Sequence, residues 1–140
     1  MKGPFVEGND QQGHQSEHPP AALYRQAVKS LDAYCRDAHG ERVFAKLAEA
    51  EQDEILQRME DGKLALDGVS AQSFFELVMD NATEGFFCDP IYGGNQDMVG
   101  WKLVGFPGAR YDYRDFLDHN GERIDLDPVG LRGRPAWNPA

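Results

Sequence analysis

The feature that most constrains this chain is a change of rhythm near residue 85. From Pro20 to Gly85 apolar side chains recur every three or four positions; from there to Gly133 no period of 3.6 or 2 lasts more than a few residues. The aperiodic stretch holds nine of the fifteen glycines, and Phe86 to Phe116 carry eight of the fifteen aromatic rings. Disordered segments are aromatic-poor, and long loops inside compact domains usually serve a function. The pattern therefore predicts a mainly α fold: a small platform of three to four helices with a long, ordered, irregular C-terminal segment.

At 140 residues the chain reads as one domain. Its expected divisions are an extended arm over 1–20, a helical unit over 21–85 and a Gly- and aromatic-rich segment over 86–140. The first helix begins near Pro20 and Ala21, because proline suits a first helical turn. Leu23, Ala27, Leu31 and Cys35 fall on one face of it, and Gly40 is its natural stop. Two short stripes follow, Val43-Phe44-Leu47-Ala48 and Ile55-Leu56-Met59, which predict two short helices with a break near 49–51. The second of these starts near Glu51 and ends at Gly62. Ser70 caps the next helix, in which Ala71, Phe74, Phe75, Val78, Met79 and Ala82 are expected to share one face and which is expected to end at Gly85. Tyr113 to His119 suggests one or two further turns, stopped by Asn120-Gly121.

Charge narrows the partners. With 24 acidic and 14 basic side chains the net charge is −10, a field that repels phosphate backbones and argues against nucleic acid. No apolar run reaches the roughly 18 residues needed to cross a bilayer, so no direct membrane insertion is expected. MKGPFVEGNDQQGHQSEHPP has no apolar h-region, so no signal peptide is expected either. Cys35 and Cys88 are too few for a disulfide scaffold or a four-cysteine metal site; they are read as small buried apolar groups or one disulfide.

Motifs for autonomous chemistry are incomplete. Gly93, Gly94, Gly100, Gly105 and Gly108 match neither the dinucleotide fingerprint nor the P-loop, and read as turns that exploit positive φ. Cys35-Arg36-Asp37-Ala38-His39 has the wrong spacing for haem attachment. His39 with Asp37, and His119 with Asp115 or Asp118, supply two metal ligands each; His14 and His18 sit in the arm. Asp89, Asp97, Asp112 and Asp115 are the carboxylates available for acid–base hydrolysis, and Cys88 the thiol for nucleophilic attack. Arg132-Gly133-Arg134-Pro135 is a four-residue echo of a minor-groove hook on an acidic chain.

The remaining feature is a concentration of rings and arginines. Tyr, Trp, Phe, Met and Arg are enriched at protein interfaces. Tyr92, Met98, Trp101, Phe106, Arg110, Tyr111, Tyr113 and Arg114 are therefore the candidate partner-binding residues, with Trp101 as a candidate hot spot. The competing reading is that these rings cover the helical unit and complete its core. A sugar-binding module built from rings and carboxylates, and an autonomous hydrolase, are the alternatives of other classes.

The same stretch resembles the gluconate 2-dehydrogenase subunit 3 family. The resemblance rests on Phe87, Asp89-Pro90-Ile91-Tyr92-Gly93-Gly94-Asn95, Asp97-Met98-Val99-Gly100-Trp101-Lys102 and Gly105-Phe106-Pro107-Gly108-Ala109-Arg110-Tyr111. It continues through Tyr113-Arg114-Asp115-Phe116, with weaker echoes at Gly3-Pro4-Phe5, Gln12-Gly13 and Leu23-Tyr24-Arg25. It implies a non-catalytic accessory subunit of a membrane-associated, periplasmic bacterial dehydrogenase. In such complexes a large flavoprotein of the glucose–methanol–choline type oxidises a sugar acid at FAD, and a multihaem cytochrome c passes the electrons to quinone. The small subunit binds no cofactor itself; FAD and haem c belong to its partners. It is expected to support assembly, stability or export of the flavoprotein. Members usually carry a twin-arginine leader and a further helical segment ahead of the Gly-Pro-Phe stretch at which this chain begins.

Overall fold

The computed structural model describes residues 6, 8, 9, 11, 19–110 and 113–133. The protein is mainly helical, as the periodicity predicts, and divides into two compact units, Met1–Met79 and Asp80–Ala140. Most of the expected N-terminal arm lies outside the described residues, as do His14, His18, Tyr111, Asp112 and Arg134.

In the first unit, helix α1 spans Pro20–Ala38 with proline in its first turn. Pro19 closes the N-terminus through its carbonyl, which accepts from the Ala22 and Leu23 amides. The expected stripe is the buried one: Leu23, Ala27, Leu31 and Cys35. At the far end Glu41 N–H reaches Arg36 O (2.9 Å) while Gly40 takes φ +68°, a left-handed stop that glycine adopts without Cβ strain.

The stretch read as a short helix from Val43 to Ala48 is instead a single 3₁₀ turn, Phe44–Lys46, with extended residues at each end. Side chains compete for the groups a helix would have used. Phe44 N–H donates to Asp32 Oδ1 (3.1 Å), and Phe44 O accepts from Gln52 Nε2 (2.9 Å).

Helix α2 spans Glu49–Glu60, starting two residues before the expected Glu51. Glu51 is its third residue, and its carboxylate reaches back to accept the Ala48 N–H (2.9 Å). The same carboxylate takes a two-pronged contact from Arg42, 2.8 Å on each arm. These partners, Arg42 first and the Ala48 amide second, lower the Glu51 pKa to about 2. The Asp61 carboxyl, just past the helix, is also held low, chiefly by Lys63.

Helix α3 spans Ala71–Phe87, and Ser70 Oγ accepts the Ser73 N–H (3.2 Å) as a cap. Before it, the connector folds back at Asp67 and Gly68 and is pinned to α1. Ser30 Oγ donates to Asp67 O, and Gln26 Nε2 to Gly68 O, both at 2.7 Å. Leu31, Ile55, Met59, Leu64, Ala71 and Phe74 belong to one buried cluster, edged by the Tyr24–Phe74 T-shaped ring pair at 5.3 Å. Ile55 and Met59 are 1% and 2% exposed, so each contributes close to the full ~1.5–3 kcal/mol of an aliphatic burial. Cys35 is a fully buried free thiol; burial first, and the Asp32 charge second, push its pKa up.

The second unit takes up the rest of α3 and the irregular segment. α3 does not end at Gly85 but runs on to Phe87, with no positive φ at the glycine. Beyond it come 3₁₀ turns Pro90–Tyr92 and Gln96–Met98, a short helix α4 over Val99–Val104, and a 3₁₀ turn Arg114–Phe116. The last accounts for the turn expected within Tyr113–His119. α4 has no counterpart in the sequence reading: six residues make less than two turns, too few for a period to register. Gly108 and Val129 form an isolated parallel bridge.

Candidate functional site

The second unit is held together by backbone approach and polar clasps, and this organisation decides which of its rings face outward. Asn95 is buried, with a left-handed φ of +45°. Its Nδ2 donates to Cys88 O (2.9 Å), and its Oδ1 accepts the Gly100 N–H in the first turn of α4 (2.8 Å). One amide thus ties the end of α3 to the start of α4. Asp89 works similarly over a longer span. One oxygen accepts the Ile91 N–H (2.9 Å), the other the Leu131 N–H (2.6 Å), 42 residues away.

Two glycines read as positive-φ turns have another reason to be glycine. A Cβ on Gly94 would lie 2.1 Å from Gly85 O, and one on Gly100 would lie 2.2 Å from Phe86 O. Neither position has positive φ; backbone passes against backbone there. Gly93, Gly105 and Gly108 do adopt the positive φ expected of them.

Trp101, the candidate hot spot, is 6% exposed. Its Nε1 donates to Phe87 O (2.7 Å), and its ring meets Phe106 edge-on at 5.2 Å. In this chain it is an internal post of the second unit, not an outward anchor. The other proposed contact residues are distributed differently. Tyr92 is 76% exposed, Phe106 and Tyr113 are exposed, Met98 is half-buried, and Arg114 is exposed. Arg110 is half-buried, with Nη2 donating to Asp127 O (2.5 Å). Tyr111 lies outside the described residues.

Several outward apolar residues were not singled out from sequence. Val99 and Leu103 lie four apart on α4 and so share a face, with Leu103 74% exposed. Val104, Ile91, Leu117 and Leu131 are exposed as well. No period marks them, so their exposure was invisible before α4 and its neighbours were placed.

Clefts flank these elements. One of about 390 Å³ is lined by Trp101, Phe106, Pro107, Arg123 and Asp125 among others, and a neighbouring one of about 450 Å³ by Met98, Arg110 and residues of 125–129. The hydrolytic candidates are dispersed in role. Asp89 spends both oxygens on backbone amides, Asp97 and Asp115 are exposed, and Asp112 is not described. Cys88 is a free thiol whose Sγ–H donates to Gly85 O (3.3 Å). Among the described residues no three His, Cys, Asp or Glu side chains converge as metal ligands, and no helix is long and apolar enough to cross a membrane.

Comparison with known proteins bears on the same stretch. No curated protein and no solved structure matches the chain. The sequence profile of gluconate 2-dehydrogenase subunit 3 matches residues 4–108, a span that takes in Asp89, Gly94, Asn95, Gly100, Trp101 and Gly108. Across three-quarters of its length, including the Asn95 clasp between Cys88 and Gly100, the chain belongs to the gluconate 2-dehydrogenase subunit 3 family.

Proposed function

We propose that this chain is the non-catalytic accessory subunit of a flavin-dependent, cytochrome-linked sugar-acid dehydrogenase. In this reading it binds the flavoprotein subunit in the periplasm and supports that subunit's assembly, stability or export. FAD and haem c reside in the partner subunits. The observation that carries the reading is the outward apolar content of the second unit: Tyr92, Val99, Leu103, Val104, Phe106 and Leu131 all stand in solvent. Scattered apolar side chains are ordinary on any protein, but such a concentration in so small a unit is the composition of an interface. Membership of a family named for a dehydrogenase subunit supports the same conclusion.

Co-expression with the flavoprotein tests it. Wild-type chain is expected to co-purify, and Tyr92→Ser with Leu103→Ser to lose the complex while each variant keeps its helical circular dichroism. Recovery of a stable, partnerless monomer from cells that make both proteins overturns the reading. A second reading, a sugar-binding module, is favoured by the pairing of Trp101 and Phe106 with Asp125 along the cleft of about 390 Å³. It requires a saturable change in tryptophan fluorescence when sugars or sugar acids are added to the isolated chain.

A further inference from the structure

Helix α1 buries Leu23, Ala27, Leu31 and Cys35 and turns a second face outward. On that face Tyr24, Arg25, Val28, Lys29, Asp32 and Arg36 line a shallow cleft of about 490 Å³. Arg25, Lys29, Asp32 and Arg36 fall at i, i+4, i+7 and i+11, one line along the helix, with Tyr24 and Val28 beside it. From Arg25 to Arg36 the line runs ~16 Å at 1.5 Å per residue. Val28 is 49% exposed at mid-helix, where neither helix propensity nor solvent favours a β-branched apolar side chain.

The charge of this strip is the reverse of the chain's. The molecule carries −10 overall, yet the strip holds three cations and one acid. That acid is already engaged, because Asp32 Oδ1 accepts the Phe44 N–H (3.1 Å). Elsewhere Arg42, Lys63 and Arg123 each have a carboxylate partner. The side chains of Arg25, Lys29 and Arg36 have none among the described residues, in a chain where acids outnumber bases 24 to 14.

We infer that this strip of α1 is a docking surface for an acidic amphipathic helix of a partner protein. Unpaired cations beside Tyr24 and Val28 complement aliphatic side chains bordered by Asp or Glu. A straight strip contributed by one helix suits a second helix lying along it. An anionic bilayer is the weaker match. Three cations fall short of the roughly four to eight of polybasic lipid sites, and the −10 field opposes a charged surface. A second copy of the chain would bring the same net negative charge against the first. The strip belongs to the first unit and the outward apolar residues of the accessory-subunit reading to the second, so the two stand apart.

The experiment measures fluorescence anisotropy of a labelled peptide, about four helical turns long, with a leucine stripe bordered by glutamates. Its twin carries Gln for every Glu. The Glu peptide is expected to bind the isolated chain saturably and to weaken as salt is added. Binding should be at least tenfold weaker for the Gln twin and for the triple variant Arg25→Gln, Lys29→Gln, Arg36→Gln; Val28→Ser should weaken it too. Equal affinity for the two peptides, equal affinity of the triple variant, or no saturation up to millimolar peptide overturns the inference. So does a salt-sensitive oligomer in sedimentation that the triple variant abolishes, which gives the strip to a second copy. Tighter binding to phosphatidylserine vesicles than to the peptide gives it to a membrane and overturns it as well. Should the triple variant lose its helical circular dichroism, the wild-type Val28 and Lys29 amide resonances decide: they must shift with the Glu peptide and not with its twin.

Discussion

The two units bury different things. The first, through Met79, encloses one cluster of aliphatic and aromatic side chains contributed by α1, α2, the connector and the start of α3. The second buries Trp101, Val129, the Asn95 side chain and glycine backbone, and leaves most of its large apolar side chains outside. A helical stripe can meet another stripe over many residues, so the first unit gains stability from area. An aperiodic segment cannot align a stripe, and its fold depends on a few specific bonds: Asn95 to Cys88 and Gly100, Asp89 to Leu131, and Trp101 to Phe87. The apolar side chains not consumed internally are then free for a partner.

The largest test of that contrast is Trp101→Ala, expected to destabilise the second unit by ~3–5 kcal/mol. Hydrogen exchange should show protection lost after residue 80 and kept in α1; uniform loss would mean that the units fold as one. The reciprocal change is Ile55→Ala, at a site 1% exposed, with an expected cost of ~2–5 kcal/mol by denaturant titration. A smaller effect, ~1–3 kcal/mol, is expected for Asn95→Ala, which strands the Gly100 N–H and Cys88 O. Near-UV circular dichroism of Trp101 should report it first.

Leu103→Ser probes the exposed face. Stability should change by no more than ~0.5 kcal/mol, since the side chain is 74% exposed, while under the proposed function affinity for the flavoprotein falls. Equal loss of both would place Leu103 in the core of the chain. The pH test concerns the first unit alone. Glu51 has its pKa lowered to about 2 in the folded state, so its contribution is fully present above the ordinary carboxylate pKa, near 4.5. That contribution disappears as pH falls from about 4.5 through about 2. Glu51→Gln should flatten this part of the pH–stability curve, and the effect should be modest because the pair is exposed to solvent and screened.

Periodic side chains made α1 and α3 legible from the sequence; the buried face of α1 was identified residue by residue, whereas of the face expected on α3 only Ala71 and Phe74 are buried and Val78, Met79 and Ala82 are exposed. The 43–48 stripe was apolar enough to suggest a helix. It failed as one because Asp32 and Gln52, distant in sequence, capture the backbone of Phe44. Of the candidate contact residues, Tyr92, Phe106 and Tyr113 are outward and Trp101 is inward, a sorting that residue type does not reveal. Aromatic identity predicts that a ring will be buried against something, without saying whether that surface belongs to its own chain.

What the sequence determined by itself was the helical class, the boundary where period gives way to glycine and rings, and the family. Each of these is written in local order: spacing along the helix, residue type, and an aperiodic motif. Tertiary structure alone decided the α4 helix, the clasps of Asp89 and Asn95, and the contact glycines at 94 and 100. Those features arise where separate turns of the chain come into close contact with one another, and no local pattern encodes that meeting.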